Sequence, residues 1–210
     1  DLSMVKRVAI LGSTGSIGRN ALRVIESLNS SCEEEDVRYE IVALSAHNNV
    51  ELLASQARRY RPRIVAVTNE DGLQQLRSAI GDLNADILAG PGSLAEIAGL
   101  EDVDIVLAAV VGAAALPAVL AAAQKGKRLA IANKESLVVA GELLMGAARK
   151  SGAVILPVDS EHSAIFQAMQ AGKREEVSRI ILTASGGPFR EVSIEDIRNV
   201  VVAERSGVPT

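Results

Sequence analysis

The chain has 210 residues with a formal net charge of -4; 48% of its residues are hydrophobic and 23% charged. That length holds one large domain, or one domain and part of a second. The acidic balance and the absence of Trp argue against a nucleic-acid partner, which would need a basic face and stacking platforms.

"VKRVAILG" (residues 5–12) is a short apolar, β-rich run, followed by a glycine turn and by "RNALRVIESL", whose apolar residues recur at helical spacing. A single cysteine, Cys32 in "SSCEEED", excludes an intrachain disulfide and reads as a surface thiol in a reducing compartment rather than a nucleophile. Strand, turn and helix then return as "YEIVALSA" with "NVELLASQARRYRP", "RIVAVTN" with "DGLQQLRSAIG", and "VDIVLAAVVG" with "LPAVLAAAQKGK". "RLAIAN" with "KESLVVAGELLMGAARKSG" and "AVILPVDS" with "EHSAIFQAMQAG" complete the series.

The longest apolar stretch, residues 103–123, approaches the length of a membrane span, but Asp104, Gly112 and Pro117 divide it into strand, turn and helix start. No membrane partner and no leader are legible, so the expected location is the cytoplasm, or a plastid if a leader has been removed.

Strands that are apolar throughout, each followed by a helix, predict a doubly wound α/β architecture with a parallel sheet covered on both faces. After Gly172 the composition changes, and one further strand, a glycine turn, a short helix and an irregular tail are expected as the beginning of an α+β unit. We place the boundary after residue 152, giving a nucleotide-binding domain over 1–152 and the start of a second domain over 153–210.

"GSTGSIG" (residues 12–18) spaces Gly12, Gly15 and Gly18 between the first strand and the first helix. Small residues let a backbone approach a pyrophosphate, and the N–H groups at the helix start, with the hydroxyls of Ser13, Thr14 and Ser16, can donate to it. The alternative is a tight βα turn without a ligand. After the second strand stands "LSAHNN": no carboxylate repels a 2′-phosphate there, and His47, Asn48 and Asn49 can donate hydrogen bonds, which favours NADP over NAD. His47 reads equally well as an exposed loop residue.

"ANKESLVVAG" sets Asn133, Lys134, Glu135 and Ser136 where a strand ends and a helix begins, the side of an open sheet on which ligands bind. The plain reading is a helix start capped by Asn133, with Ser136 exposed. In "PVDSEH", Asp159 and Glu161 are two apart, so an extended segment turns both to one face, where their hard oxygens suit Mg²⁺ or Mn²⁺. Two carboxylates leave a coordination sphere open, and His162 points elsewhere. "TASGGPFR" (residues 183–190) adds Ser185 and backbone donors suited to an oxyanion, or forms a plain turn.

"GSTGSIG", "ANKESLV", "PVDSEHSAIFQ" and "TASGGPFR", in this order and spacing, closely resemble the 1-deoxy-D-xylulose 5-phosphate reductoisomerase family over nearly the whole chain. The resemblance implies a Rossmann-like NADPH domain followed by a metal and substrate domain. It implies a metal-assisted skeletal rearrangement of a small phosphorylated sugar, NADPH reduction to 2-C-methyl-D-erythritol 4-phosphate, a role in isoprenoid precursor synthesis, a homodimer and inhibition by fosmidomycin. Carried over, it makes Gly12, Ser13, Thr14, Gly15, Ser16, Ile17, Gly18, Asn49, Asn133 and Glu135 cofactor-binding. Lys134, Ser160, Glu161 and Ser185 would touch substrate. Lys134, Asp159 and Glu161 would be catalytic, and Asp159 and Glu161 the metal ligands.

Family sequences continue with a histidine-bearing mobile loop, further phosphate ligands, a third metal carboxylate and a helical C-terminal domain, and Val208 stands where that loop has its histidine. The 210 residues alone are therefore expected to be catalytically incomplete. Two other readings remain at this point: another NADP-dependent oxidoreductase, such as a homoserine or aspartate-semialdehyde dehydrogenase, which leaves "PVDSEHSAIFQ" unexplained, and an NADPH-binding module without activity.

Overall fold

The structure, a computed structural model, describes residues 4–32, 37–132, 134–181 and 191–197. The chain divides into two compact units, 1–159 and 160–210.

In the first unit strands and helices alternate as β1 (Val5–Leu11), α1 (Ser16–Ser30), β2 (Arg38–Ala46), α2 (Val50–Tyr60), β3 (Ile64–Val67), α3 (Leu73–Ile80), β4 (Asp86–Ala89) and α4 (Ser93–Gly99). They continue as β5 (Ile105–Ala108), α5 (Leu116–Gln124), β6 (Arg128–Ile131), α6 (Glu135–Ser151) and β7 (Val154–Pro157). The seven strands form one parallel sheet in the order β4-β3-β2-β1-β5-β6-β7. The doubly wound Rossmann-like architecture expected from the unbroken apolar strands is the one observed.

Side-chain parity along the strands explains the layers. Val8, Ile10, Val65, Val67 and Leu107 pack with Leu22 and Ile25 of α1, Leu53 and Ala57 of α2 and Leu76 of α3. The alternate positions Ala9, Leu11, Ile64, Ala66, Val106 and Ala108 pack with Ile97 of α4, Val119 and Ala122 of α5 and Leu144 of α6. Because successive side chains of a strand point to opposite faces, a run that is apolar throughout feeds both layers. The helices change face where the strand order reverses, between β1 and β5, which opens a crevice at the carboxyl ends of those strands.

One unit of the alternation escapes the sequence reading. β4 is a four-residue edge strand whose residues are half-buried or exposed, and α4 has seven residues, too short for a helical period to stand out. In contrast, the apolar stretch at 103–123 is β5, a turn and α5, with Pro117 in the first helical turn as its fixed φ favours. Among the described residues no helix is long and apolar enough to cross a membrane.

The second unit contains α7 (Ser160–Ala168) and α8 (Ile194–Ile197). The Ser193 hydroxyl accepts from the Asp196 backbone N–H at 3.1 Å and so caps α8, the short helix expected there. The further strand expected after Gly172 does not form over residues 177–181, and the glycine turn at 183–190 lies outside the described residues.

Lys127, at the start of β6, is 6% exposed and donates to the carbonyls of Leu100 at 2.6 Å and Glu101 at 2.9 Å. Burial holds its pKa below the ordinary lysine value, outweighing the upward pull of the Asp104 and Asp102 carboxylates. A lysine whose pKa is lower folded than unfolded carries fewer protons in the native state, so stability rises with pH across the interval between the two values. Urea titrations of the wild type and Lys127→Met should therefore diverge in slope in that alkaline interval, the wild type gaining more; parallel slopes would refute the assignment. Leu53 is fully buried in α2, and Leu53→Ala should cost about 2–5 kcal/mol in the same experiment.

Candidate active site

β1 ends at Leu11, and the chain turns sharply because Gly12 adopts a φ of +85°. A Cβ at Gly12 would stand 2.8 Å from the Ala109 carbonyl oxygen, so only glycine allows the turn to lie against the segment leaving β5. The Gly12 N–H donates to the Ser45 hydroxyl at 3.0 Å. Gly18 serves packing: its Cβ would meet the Gly12 oxygen at 2.4 Å. Gly15 differs from both, with an extended backbone (φ −71°, ψ 171°) and only one ordinary contact, at 3.5 Å, awaiting a Cβ. It is the N-cap of α1, whose start has no side-chain cap and no acidic residue in the first turn. Its open N–H groups and the positive end of the helix dipole favour an anion.

A cavity of about 590 Å³ lies beside this turn at the carboxyl ends of β1, β2, β3 and β5. Gly12, Thr14 and Gly15 line one side, Ala46, His47 and Thr68 another, and Ala109, Val110 and Val111 the third. Among the described residues no acidic side chain lines it. His47 is exposed, and its Nδ1 lies 2.8 Å from the Thr68 hydroxyl, which ties the β2 turn to the end of β3.

A second cavity, of about 210 Å³, shares Ala109, Val110 and Val111 with the first and adds Ile17, Ala132, Lys134, Glu135 and Asp159. The ends of β5, β6 and β7 thus bring together residues from three separate sequence motifs. Lys134 is exposed at the N-cap of α6, where it makes no side-chain cap. Asp159 is half-buried in the bend after β7; in the other unit, Ser160 and Glu161 open α7, with the Ser160 hydroxyl donating to Glu161 Oε2 at 2.9 Å.

The family model of 1-deoxy-D-xylulose 5-phosphate reductoisomerase matches residues 8–141, and the model of that enzyme's C-terminal domain matches residues 155–210. The chain belongs to the 1-deoxy-D-xylulose 5-phosphate reductoisomerase family. The reductoisomerase of Phocaeicola vulgatus is 48% identical over 201 residues, 96% of this chain and 50% of the relative. That of Thermoanaerobacter pseudethanolicus is 48% identical over 205 residues, 98% of this chain and 51% of its own length. The solved reductoisomerase of Zymomonas mobilis in complex with NADPH is 40% identical with a TM-score of 0.79, covering 99% of this chain and 52% of that one. A reductoisomerase solved with NADPH, fosmidomycin and magnesium is 42% identical with a TM-score of 0.77, over 95% and 50%. The chain spans about half the length of the curated relatives it matches.

Within this chain, several expected site residues take other roles. Ser13 is fully buried; its N–H donates to the Ser45 carbonyl at 2.8 Å and its hydroxyl to Gln56 Oε1 at 2.7 Å, so neither faces a ligand. Asn49 caps α2, accepting from the Leu52 N–H at 3.1 Å, and does not line the cavity. Ser136, read as exposed, is fully buried. Glu161 and His162 lie in the first turn of α7, so the premise of an extended segment through 159–161 fails. Asn133 and Ser185 lie outside the described residues. Among the described residues no group of three or more His, Cys, Asp or Glu side chains could hold a metal by itself. Cys32 is half-buried, its sulfur 3.3 Å from the Val37 carbonyl oxygen, and lines neither cavity.

Sequence reasoning missed Thr68, the Ala109 to Val111 wall and Gln56. "LAAVVG" reads as continuous strand, yet β5 stops at Ala108 and the chain runs on over the crevice, leaving Val111 84% exposed. Gln56 had a signal: a polar residue within the buried stripe Val50, Leu53, Ala54 and Ala57.

The glycines differ enough to be separated by experiment. Gly18→Ala should lose about 3 kcal/mol by overpacking, whereas Gly15→Ala should lose about 1 kcal/mol, the ordinary difference at an N-cap. Equal losses in urea unfolding would contradict the packing role assigned to Gly18.

Proposed function

We propose that this chain supplies the NADPH site and part of the metal and substrate site of a divalent-metal-dependent reductoisomerase. The reaction converts 1-deoxy-D-xylulose 5-phosphate to 2-C-methyl-D-erythritol 4-phosphate in isoprenoid precursor synthesis. The observation that carries this reading is the convergence of Ile17, Lys134, Glu135 and Asp159 on a cavity that shares a wall with the one beside the glycine turn. Residues 1–152 act as the cofactor domain and 153–210 as the opening of the catalytic domain, in a cytoplasmic homodimer.

NADPH fits the first cavity on its own evidence: the space beside Gly15 is open where a side chain would fill it, and the uncapped start of α1 suits a pyrophosphate. Thr14, Gly15, Ser16 and Ile17 hold the phosphates, with Gly12 and Gly18 shaping the turn. His47 and Thr68 stand where a 2′-phosphate would be met without a repelling carboxylate. For Mg²⁺ or Mn²⁺ the support is chemical: Asp159 and Glu161 offer hard carboxylate oxygens.

When bound, NADPH supplies a hydride, and a divalent cation polarises a carbonyl and aligns two oxygens for the rearrangement. The residues of this chain bind and orient. Lys134 lines the smaller cavity together with Asp159 and Glu135, and its ammonium is able to hold a substrate oxygen. Ser160 and Ser185 would donate to substrate, and Asn133 and Glu135 would flank the cofactor. Ala109, Val110 and Val111 form the apolar wall that the two cavities share.

Two measurements test the reading. NADPH fluorescence should report binding by the chain, and Gly15→Val, which points a branched side chain into the pyrophosphate space, should abolish it while the protein stays folded. Unchanged affinity would remove the cofactor assignment. In the whole protein, Asp159→Asn should eliminate metal-dependent NADPH oxidation at 340 nm with 1-deoxy-D-xylulose 5-phosphate and spare NADPH binding. An active variant would count against the ligand role.

A further inference from the structure

Gln56 is 7% exposed on the inner face of α2, among Val50, Leu53, Ala54 and Ala57. A buried amide costs free energy unless its hydrogen bonds are satisfied, and an apolar side chain of the same length would fill the space without that demand. Both ends of this amide go to one residue. Oε1 accepts from the Ser13 hydroxyl at 2.7 Å, and Nε2 donates to the Ser13 carbonyl at 2.9 Å. The Gly12 carbonyl in turn accepts from the Gly15 N–H at 3.3 Å.

We infer that Gln56 is a positioning residue for the dinucleotide: it holds the Ser13 carbonyl inward, so that the glycine turn does not present that acceptor to the pyrophosphate. A carbonyl oxygen turned toward a phosphate repels it, whereas an N–H attracts it, so the orientation of one peptide decides the sign of the local field. Gln56 does this from α2 without touching the ligand; it is absent from the cavity wall. The inference rests on the reading of the 590 Å³ cavity as the dinucleotide site.

The test compares the wild type with Gln56→Met, which keeps the length of the side chain and loses both hydrogen bonds, with Leu53→Ala as a packing control on the same helix, and with Gly15→Val. Binding of NADPH and of adenosine 2′-monophosphate, which has no pyrophosphate, is measured on each variant at a temperature where unfolding curves show it native. Gln56→Met should raise the Kd for NADPH about tenfold, the worth of one or two hydrogen bonds. It should leave the Kd for adenosine 2′-monophosphate within about twofold, and Leu53→Ala should move neither, since it removes packing from the same helix while both hydrogen bonds from Gln56 to Ser13 remain. An unchanged NADPH Kd in Gln56→Met, or an equal weakening of both ligands, would overturn the positioning role while the site itself stands. Full NADPH affinity in Gly15→Val would overturn the site and the role of Gln56 together.

Discussion

The first unit depends on one close approach, that of Gly12 to the backbone leaving β5. At this point β1 is flanked by β2 on one side and β5 on the other, and the strand order reverses. The Gly12 N–H is held by Ser45 of β2, and the space its Cβ would occupy is taken by the Ala109 carbonyl. A side chain here would push the turn away from both neighbours and close the crevice that the reversal opens. The positive φ and the missing Cβ are therefore demands of the same junction, and the start of α1 inherits its position from them.

From that junction the electrostatics follow. The turn ties its inward polar groups to Ser45 and Gln56, and the uncapped helix start remains on the ligand side. Among the described residues the neighbouring cavity wall carries no carboxylate, which favours an anion beside the glycine turn. Carboxylates line the smaller cavity, where Glu135 and Asp159 accompany Lys134. The two cavities thus differ in electrostatic character on either side of one shared apolar wall.

Most of the architecture was legible because a parallel sheet buried on both faces writes itself as apolar runs: β3, β5 and β7 are apolar throughout, and β1 and β6 are so after their first polar residues. β4 escaped because its three apolar residues, Ile87 to Ala89, lead into a helix of only seven residues, too short to show a helical period. The chemical types at the site were legible for the same kind of reason: glycine, lysine and carboxylates at strand ends are conspicuous. Their directions were not. Ser13, Thr14 and Ser16 look equivalent in "GSTGS", yet Ser13 is buried and Ser16 exposed, because the φ of Gly12 breaks the alternation of β1 before the period of α1 begins.

The same limit explains the acidic motif. An alternating reading of Asp159 and Glu161 assumes that β7 continues, but ladder hydrogen bonds end with the Val158 N–H on Ile131, and α7 begins two residues later. Spacing of two means a shared face only inside a strand; across a strand-to-helix transition it fixes no direction. What survives the transition is the placement of Asp159 at the carboxyl edge of the sheet, and that is owed to the register of β7 on β6 rather than to its distance from Glu161. Topology, rather than spacing, thus sets Asp159 at that edge, and it also brings Lys134 from the end of β6 to the same cavity.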